Sequence, residues 1–268
     1  KGGFLYRINK DGTDLNKLTD DAVESEWIDG QRIKYYSKNK GLTLHSVAKD
    51  GSDKRTESTE VTVMNKDWVI NGNVTVSDKN ILLKGNLIIN KTGSLTLNNV
   101  NLLFDCGNEN LGPVERSIKV DSSALTIRNS RVGSTYPDGE IIFSAGSSKV
   151  EIESSRISGI RDHILLYRCD NSRIIGNYII NSAENGVIKF AGSNRPLFKD
   201  NVIINKTRDA VPAAAIQAEF TKDASIMDNV FVDQGECISF TRQTTESCGA
   251  NNLIFGDYGS QCITLRQE

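Results

Sequence analysis

One polar column recurs through most of the chain and constrains its fold more than any other feature. In each repeat an Asn or Ser precedes a short apolar strand, as in "GNYIIN" and "DNVIIN". The column comprises Asn99, Ser130, Ser155, Asn177, Asn201, Asn229 and Asn252, spaced by 31, 25, 22, 24, 28 and 23 residues. The turns between strands are too short for a crossover helix. Such a period predicts a parallel β-solenoid, whose coils bury their apolar faces against one another.

Composition supports an all-β chain. Asn, Ser, Thr, Ile and Val are abundant and there are only four prolines, which favours short strands joined by tight turns. Apolar residues with helical spacing are hard to find. We also expect a ladder of stacked amides at Asn177, Asn201, Asn229 and Asn252, which would bond from coil to coil and satisfy buried polar groups at a bend.

Three segments carry a resemblance to a known family: "NSRIIGNYIINSAENGVIKF", "KDNVIINKTRDA" and "WVINGNVTVSDKNILLKGNLIINKTGSLTLNNVNLLF". They resemble right-handed parallel β-helix repeats of the pectate-lyase-like superfamily. The resemblance implies a single-stranded right-handed β-helix of about 7–9 coils over residues 61–268. That superfamily includes lyases, epimerases, hydrolases, phage tailspikes, adhesins and structural domains, so the fold alone does not select an activity.

Residues 1–60 follow a different pattern. Two segments share a K-D-G-[TS]-D core, with Gly12 and Gly51 separated by 39 residues. They resemble the blade of a β-propeller found in secreted and surface proteins, although a propeller needs about four to eight blades. We therefore expect a β cap on the first coil or a truncated domain, in a piece of a longer extracellular or cell-surface protein.

Charge and the length of apolar runs exclude two classes of partner. There are 32 basic and 34 acidic residues, a net charge of -2 and no long run of one sign, so nucleic acid is not expected. No apolar run reaches the roughly 20 residues of a membrane span. Cys237 and Cys262 fall at equivalent positions in adjacent coils, within reach of a disulfide; two stacked buried thiols are the alternative.

The alternation of strand residues assigns each position to the core or to solvent. The predicted inward residues are Ile118, Ile141, Leu165, Ile188, Ile216, Ile238 and Ile263. The residues two positions later in each strand are also predicted to point inward: Val120, Phe143, Tyr167, Phe190, Ala218, Phe240 and Leu265. The predicted outward residues between them are Lys119, Ile142, Leu166, Lys189, Gln217, Ser239 and Thr264.

Three insertions, at residues 107–116, 133–139 and 208–215, fall in the same arc of the repeat. Insertions on one edge of a solenoid often build a binding groove. The predicted substrate-binding residues of this groove are Lys119, Arg168, Lys189, Gln217, Glu219, Arg161, Arg208 and Tyr136. The alternative is that the insertions are surface loops without a shared role.

Four carboxylates fall in the same arc of successive coils: Asp162, Glu184, Asp209 and Glu236. Stacked carboxylates repel unless they are solvated, paired or bound to a cation. The pectate-lyase-like resemblance implies calcium at such carboxylates, with Lys189 or Arg168 as the base that removes a proton from a uronate. Ordinary turn chemistry explains the same residues. His163, beside Asp162, is either a general base or a turn residue.

These observations predict a surface β-helix module that binds polysaccharide without catalysis. A calcium-dependent uronate lyase or epimerase is the first alternative, and a structural or fibre-forming surface protein is the second. No motif of a known catalytic triad, zinc hydrolase or nucleotide-binding loop occurs in the chain.

Overall fold

The computed structural model divides the chain into two compact units, Lys1–Thr62 and Val63–Glu268. The structure describes residues 3–7, 16–27, 32–37, 43–48, 55–56, 61–108, 112–135, 141–181, 186–205, 214–232, 236–241, 244–245, 247–255 and 263–266. Within these ranges every regular element is a strand, as the sequence predicts. No helix in the described part of the chain is long and apolar enough to span a membrane.

The first unit contains one antiparallel sheet in which neighbouring strands are also sequence neighbours. Its strands are β1 (Gly3–Arg7), β2 (Asn16–Trp27), β3 (Arg32–Ser37), β4 (Thr43–Ala48) and β5 (Arg55–Thr56). The interpretation of residues 1–60 as a cap or propeller remnant stays a prediction.

The remaining strands belong to two parallel sheets, except β13 and β14, which form a separate antiparallel pair. They are β6 (Val61–Met64), β7 (Trp68–Ile70), β8 (Asn73–Ser77), β9 (Asn80–Leu83), β10 (Leu87–Ile89), β11 (Ser94–Asn98), β12 (Asn101–Phe104), β13 (Gly107–Asn108), β14 (Gly112–Pro113), β15 (Arg116–Asp121), β16 (Ala124–Arg128), β17 (Arg131–Ser134), β18 (Ile141–Gly146), β19 (Lys149–Glu153), β20 (Arg156–Tyr167), β21 (Arg173–Ile175), β22 (Tyr178–Asn181), β23 (Ile188–Ala191), β24 (Leu197–Lys199), β25 (Val202–Asn205), β26 (Ala214–Glu219), β27 (Ser225–Met227), β28 (Val230–Val232), β29 (Glu236–Thr241), β30 (Cys248–Ala250), β31 (Leu253–Phe255) and β32 (Ile263–Arg266).

The sheets have the topology of a solenoid. An 8-stranded parallel sheet runs through β8, β11, β16, β19, β21, β24, β27 and β30, one strand from each coil. A 17-stranded sheet collects the other strands of the coils. Each strand pairs with its equivalent in the next coil, as Ile188 does with Ile216, so successive coils stack with the spacing of a parallel sheet, about 4.8 Å.

The core runs along the axis between the two sheets. Strands of the 8-stranded sheet contribute aliphatic side chains to this core, such as Leu97, Ile127 and Ile174, which are essentially inaccessible to solvent. The largest fully buried side chains are Phe104, Phe143, Phe190, Phe198 and Phe231. Each coil therefore buries its apolar side chains against the coils on either side, which is why the repeat must be long and regular.

Bends recur at fixed positions of each coil because single residues there adopt the left-handed conformation, which Asn, Asp and Gly tolerate best. One such column is Asp78, Asn99, Asn129, Ser154, Gly176, Asp200, Asp228 and Asn251, with φ between 48° and 66°. A second column is Ser122, Ser147, Arg168, Gly192 and Phe220, with φ between 47° and 63°.

The predicted amide ladder is confirmed. The backbone N–H and side-chain Nδ2 of Asn177 both donate to Oδ1 of Asn201, at 2.9 and 3.0 Å, and Asn201 repeats this toward Asn229. Asn229 does the same toward Asn252. Each interior Nδ2 also donates to a carbonyl of the preceding coil, as from Asn177 to Ile152. The ladder thus satisfies buried backbone and side-chain groups together.

Asn99, however, does not belong to the ladder column that the sequence predicts. The N–H that donates to Oγ of Ser130 belongs to Val100, so Val100 occupies the ladder position in that coil and is buried. Asn99 lies one residue earlier, at the exposed bend, where its Nδ2 donates to Oδ1 of Asp78. A slip of one residue exchanges a buried position for an exposed one.

A second ladder of small polar side chains lines another bend. Its members are Ser148, Cys169, Ser193, Thr221 and Thr244, and each donates to a carbonyl of the preceding coil. Cys169 is a free, buried thiol, and burial raises its pKa. The proposed Cys237–Cys262 pair involves side chains outside the described residues and stays a prediction.

Candidate functional site

The outward side of six stacked strands forms the candidate site, which we call the outer face. These strands are β15, β18, the end of β20, β23, β26 and β29. Their first outward row is Lys119, Ser144, Leu165, Lys189, Gln217 and Ser239. Ser239, predicted to be exposed, is buried at this end of the row. The second is Asp121, Gly146, Tyr167, Ala191, Glu219 and Thr241.

Two coils of this register differ from the sequence-based assignment. Ile118 pairs with Phe143, so Ser144 and not Ile142 continues the first row. In the next coil Ile164 and Leu166 are buried, whereas Leu165 is half-buried and Tyr167 exposed. The predicted inward positions of Leu165 and Tyr167 are therefore wrong, and so is the outward position of Leu166.

A bulge in β20 causes the second difference. Ile141 pairs with Ile160, and Phe143 pairs with Ile164. Residues 161–163 therefore lie opposite the single residue Ile142. Such extra residues bend a strand and re-aim its side chains. The bulge places His163 at the edge of the outer face.

An ion pair lies at the centre of the outer face. Nζ of Lys189 lies 3.0 Å from Oε1 of Glu219, and the two side chains are only 25% and 18% exposed. Gln217 follows Lys189 in the first row, in the same coil as Glu219. Because the pair is partly shielded from water, its charges orient each other more firmly than an exposed pair would. The structure thus brings together Lys189, Gln217 and Glu219, three of the predicted substrate-binding residues.

His163 adds a titratable group to the same region. Burial lowers the pKa of His163, the charge of Lys189 lowers it further, and Asp162 and Glu219 oppose the change. Its Nδ1 is buried and has no hydrogen-bond partner among the described residues. The imidazole is therefore neutral at neutral pH and has a nitrogen available for a proton.

We expect this environment to make stability depend on pH. The unfolded chain, with a histidine pKa near 6.5, binds more protons at acidic pH than the folded chain does, so stability due to His163 is present above that pKa and is lost as pH falls toward the folded value. Urea unfolding of wild type and His163→Gln at pH 7.5 and pH 5 measures this. The advantage of wild type over the variant should shrink at pH 5; an unchanged advantage would contradict the assignment.

The other predicted site residues are dispersed or lie outside the described part. Lys119 is exposed in the first row. Arg161 pairs with Glu115 of the first insertion at 2.6 Å. Arg168 lies at a bend, with its guanidinium 5.0 Å from the Tyr167 ring centroid; it is in neither row. Tyr136, Arg208, Glu184, Asp209 and the side chain of Glu236 are outside the described residues.

A calcium site stays a prediction for the same reason. Asp162 is half-buried, but its three predicted partners contribute no described side chain. Within the described ranges no three His, Cys, Asp or Glu side chains are grouped to hold a metal ion.

The three insertions leave the solenoid between equivalent strands. The first lies between β12 and β15, the second between β17 and β18, and the third between β25 and β26. The strands that precede them belong to one stack, as do the strands that follow. Their attachment points therefore share one edge, next to the outer face.

Fold and face together define a parallel β-solenoid protein with a polar outer face. The family model of the right-handed β-helix region matches residues 116–266. This match spans more than half of the chain, which therefore belongs to the right-handed β-helix family. No curated protein and no solved structure matched the chain.

Proposed function

We propose that this chain is an extracellular or cell-surface module that binds a polysaccharide along its outer face, without catalysis. The observation that carries the proposal is the half-buried Lys189–Glu219 pair with Gln217 beside it. A sugar hydroxyl both donates and accepts hydrogen bonds, and this group offers an ammonium, an amide and a carboxylate within two coils. A linear polymer lying along the axis would meet further polar side chains, Lys119 and Ser144, from the same row.

Two further features support a polysaccharide ligand. The attachment points of the insertions follow the edge of the outer face, where they could wall a groove. The repeat segments also resemble the pectate-lyase-like superfamily, many of whose members act on polysaccharides, and the propeller-like repeats of residues 1–60 resemble those of surface proteins.

One observation favours acid–base chemistry on a uronate as a second candidate. His163 is held neutral next to Lys189 and Glu219, and a neutral imidazole can accept a proton near neutral pH. Lys189 itself donates to Glu219, an arrangement suited to a hydrogen-bond donor and not to a proton acceptor. In a lyase or epimerase built on this face, His163 would replace Lys189 or Arg168 as the base.

The test is a panel of neutral and uronate polysaccharides incubated with the whole chain, with and without calcium. Two quantities are measured separately: the loss of free protein from solution as it binds the polymer, and the absorbance of an unsaturated product. Binding without product is the expected result. Product formation would establish the lyase. The absence of both signals would favour a structural or fibre-forming role.

A further inference from the structure

Two aromatic rings stand exposed beside the Lys189–Glu219 pair. Tyr167 is 45% exposed and Phe220 is 53% exposed. Tyr167 pairs with Ala191, which pairs with Glu219, and Phe220 directly follows Glu219. The two residues therefore lie on coils two repeats apart, whose backbones are separated by roughly 9–10 Å.

The coil between them offers no large side chain. Its residues at these positions are Ala191 and Gly192. A Cβ at Gly192 would lie 3.6 Å from Cγ of Arg168, so the stem of Arg168 lies against this floor. A flat ring in contact with an aromatic on each side needs roughly 7–8 Å between their planes. The backbone spacing of the two coils is therefore large enough for one pyranose ring between aromatic side chains on those coils.

Phe220 has a backbone conformation that does not suit it. Its φ is 48°, in the left-handed region that is unfavourable for a bulky residue. Equivalent bends in other coils have Ser122, Ser147, Arg168 and Gly192, so Phe220 is the aromatic residue of this column. An exposed ring on a strained backbone stabilises the fold through neither burial nor geometry, and such strain is typical of functional sites.

The Lys189–Glu219 ion pair next to the rings has compensating charges. Glu219 adjoins Phe220 in the chain and pairs with Lys189. The guanidinium of Arg168 lies 5.0 Å from the Tyr167 ring centroid, a cation–π contact that holds this ring in place. The apolar faces of a sugar can stack on the rings while its hydroxyls bond to a charge-neutral ion pair.

We propose that Tyr167 and Phe220 form a subsite for one neutral pyranose unit of the polysaccharide, with Lys189, Gln217 and Glu219 bonding to its hydroxyls. This inference rests on the proposed function and specifies the sugar that the outer face recognises.

Titration calorimetry of Phe220→Gly and Tyr167→Ala against a neutral polysaccharide that wild type binds tests the subsite. Loss of an aromatic anchor should weaken affinity about tenfold in each variant. Phe220→Gly should also raise the thermal midpoint by about 2–4 °C, since glycine relieves the backbone strain. Arg195→Gly is the matched control, because Arg195 has φ of 53° and is exposed outside the outer face. It should raise the midpoint without changing affinity.

The outcomes separate the subsite from the proposed function. If wild type binds polysaccharide and both aromatic variants bind equally well, the subsite is wrong and the proposed function stands. If wild type binds no polymer of the panel, both are overturned. A clear preference for uronate over neutral polymers would overturn the assignment to a neutral sugar.

Discussion

Asn201→Ala is expected to lower the free energy of unfolding by about 4 kcal/mol. Asn201 is fully buried, and its Oδ1 accepts from both the N–H and Nδ2 of Asn177. Its Nδ2 donates to the carbonyl of Ile174 at 2.9 Å. Alanine would remove the partners of the Asn177 N–H and of the Ile174 carbonyl, while Nδ2 of Asn177 would keep only its bond to the Ile152 carbonyl. Each buried polar group that loses its partner costs about 1–3 kcal/mol. Urea denaturation followed by circular dichroism measures the loss.

Asn201→Ser is the matched control for this prediction. Serine occupies the same column naturally at Ser130 and Ser155, where Oγ accepts the N–H of the preceding coil at 2.9 and 3.1 Å. The serine variant should therefore keep one acceptor and lose only about half as much stability. Equal losses in the alanine and serine variants would show that the amide ladder is not what stabilises this bend.

Gly186→Ala is expected to lose about 3 kcal/mol of stability and to weaken polysaccharide binding. Gly186 has φ of 93°, a conformation that strains any residue with a Cβ. The new methyl group would also collide with the carbonyl oxygen of Ala214 and lie 3.6 Å from Nε2 of Gln217. Strand β26 must then shift, and it carries Gln217 and Glu219 into the outer face.

Gly112→Ala separates strain from collision. Gly112 also has a positive φ, 76°, but a Cβ there meets nothing within 4 Å. It should cost about 1 kcal/mol. If Gly186→Ala were no worse than Gly112→Ala in urea denaturation, the close approach of β26 to Gly186 would be disproved.

The fold was predictable because one repeated polar position along the chain indicates how the coils stack. Asn177, Asn201 and Asn229 each precede a strand with a buried residue near its centre, and that pattern requires coils stacked in register. The ladder through Ser148, Cys169 and Ser193 was not predicted, because serine, cysteine and threonine share neither size nor a common sequence context. What they share is a donor aimed at the preceding coil.

The register of the outer face was predicted only in part. The assignment is correct where Lys189, Gln217 and Glu219 follow strands of constant length. It fails after residues 161–163, because nothing in the sequence distinguishes a bulge of three polar residues from a turn, and a slip of one position inverts every later side chain. Tyr167 was consequently assigned to the core.

Phe220 shows a second limit. Aromatic residues near strands are usually buried, so sequence reasoning has no reason to place one at a bend in the left-handed conformation. Comparison with Ser147 and Gly192, which occupy the equivalent bends, is the signal that could have marked it. That comparison needs the correct alignment of the coils, which only the structure supplies.

Titration calorimetry of Lys189→Ala, with a polysaccharide bound by wild type, tests the central claim most directly. Lys199→Ala is the matched control, since Lys199 also lies near carboxylates, 3.6 Å from Asp228 and 3.7 Å from Asp200, but on the 8-stranded sheet. Loss of a charged donor from the outer face should weaken binding about tenfold, whereas Lys199→Ala should bind like wild type. Unchanged binding by Lys189→Ala, or equal weakening in both variants, would contradict the assignment of the outer face as the polysaccharide site.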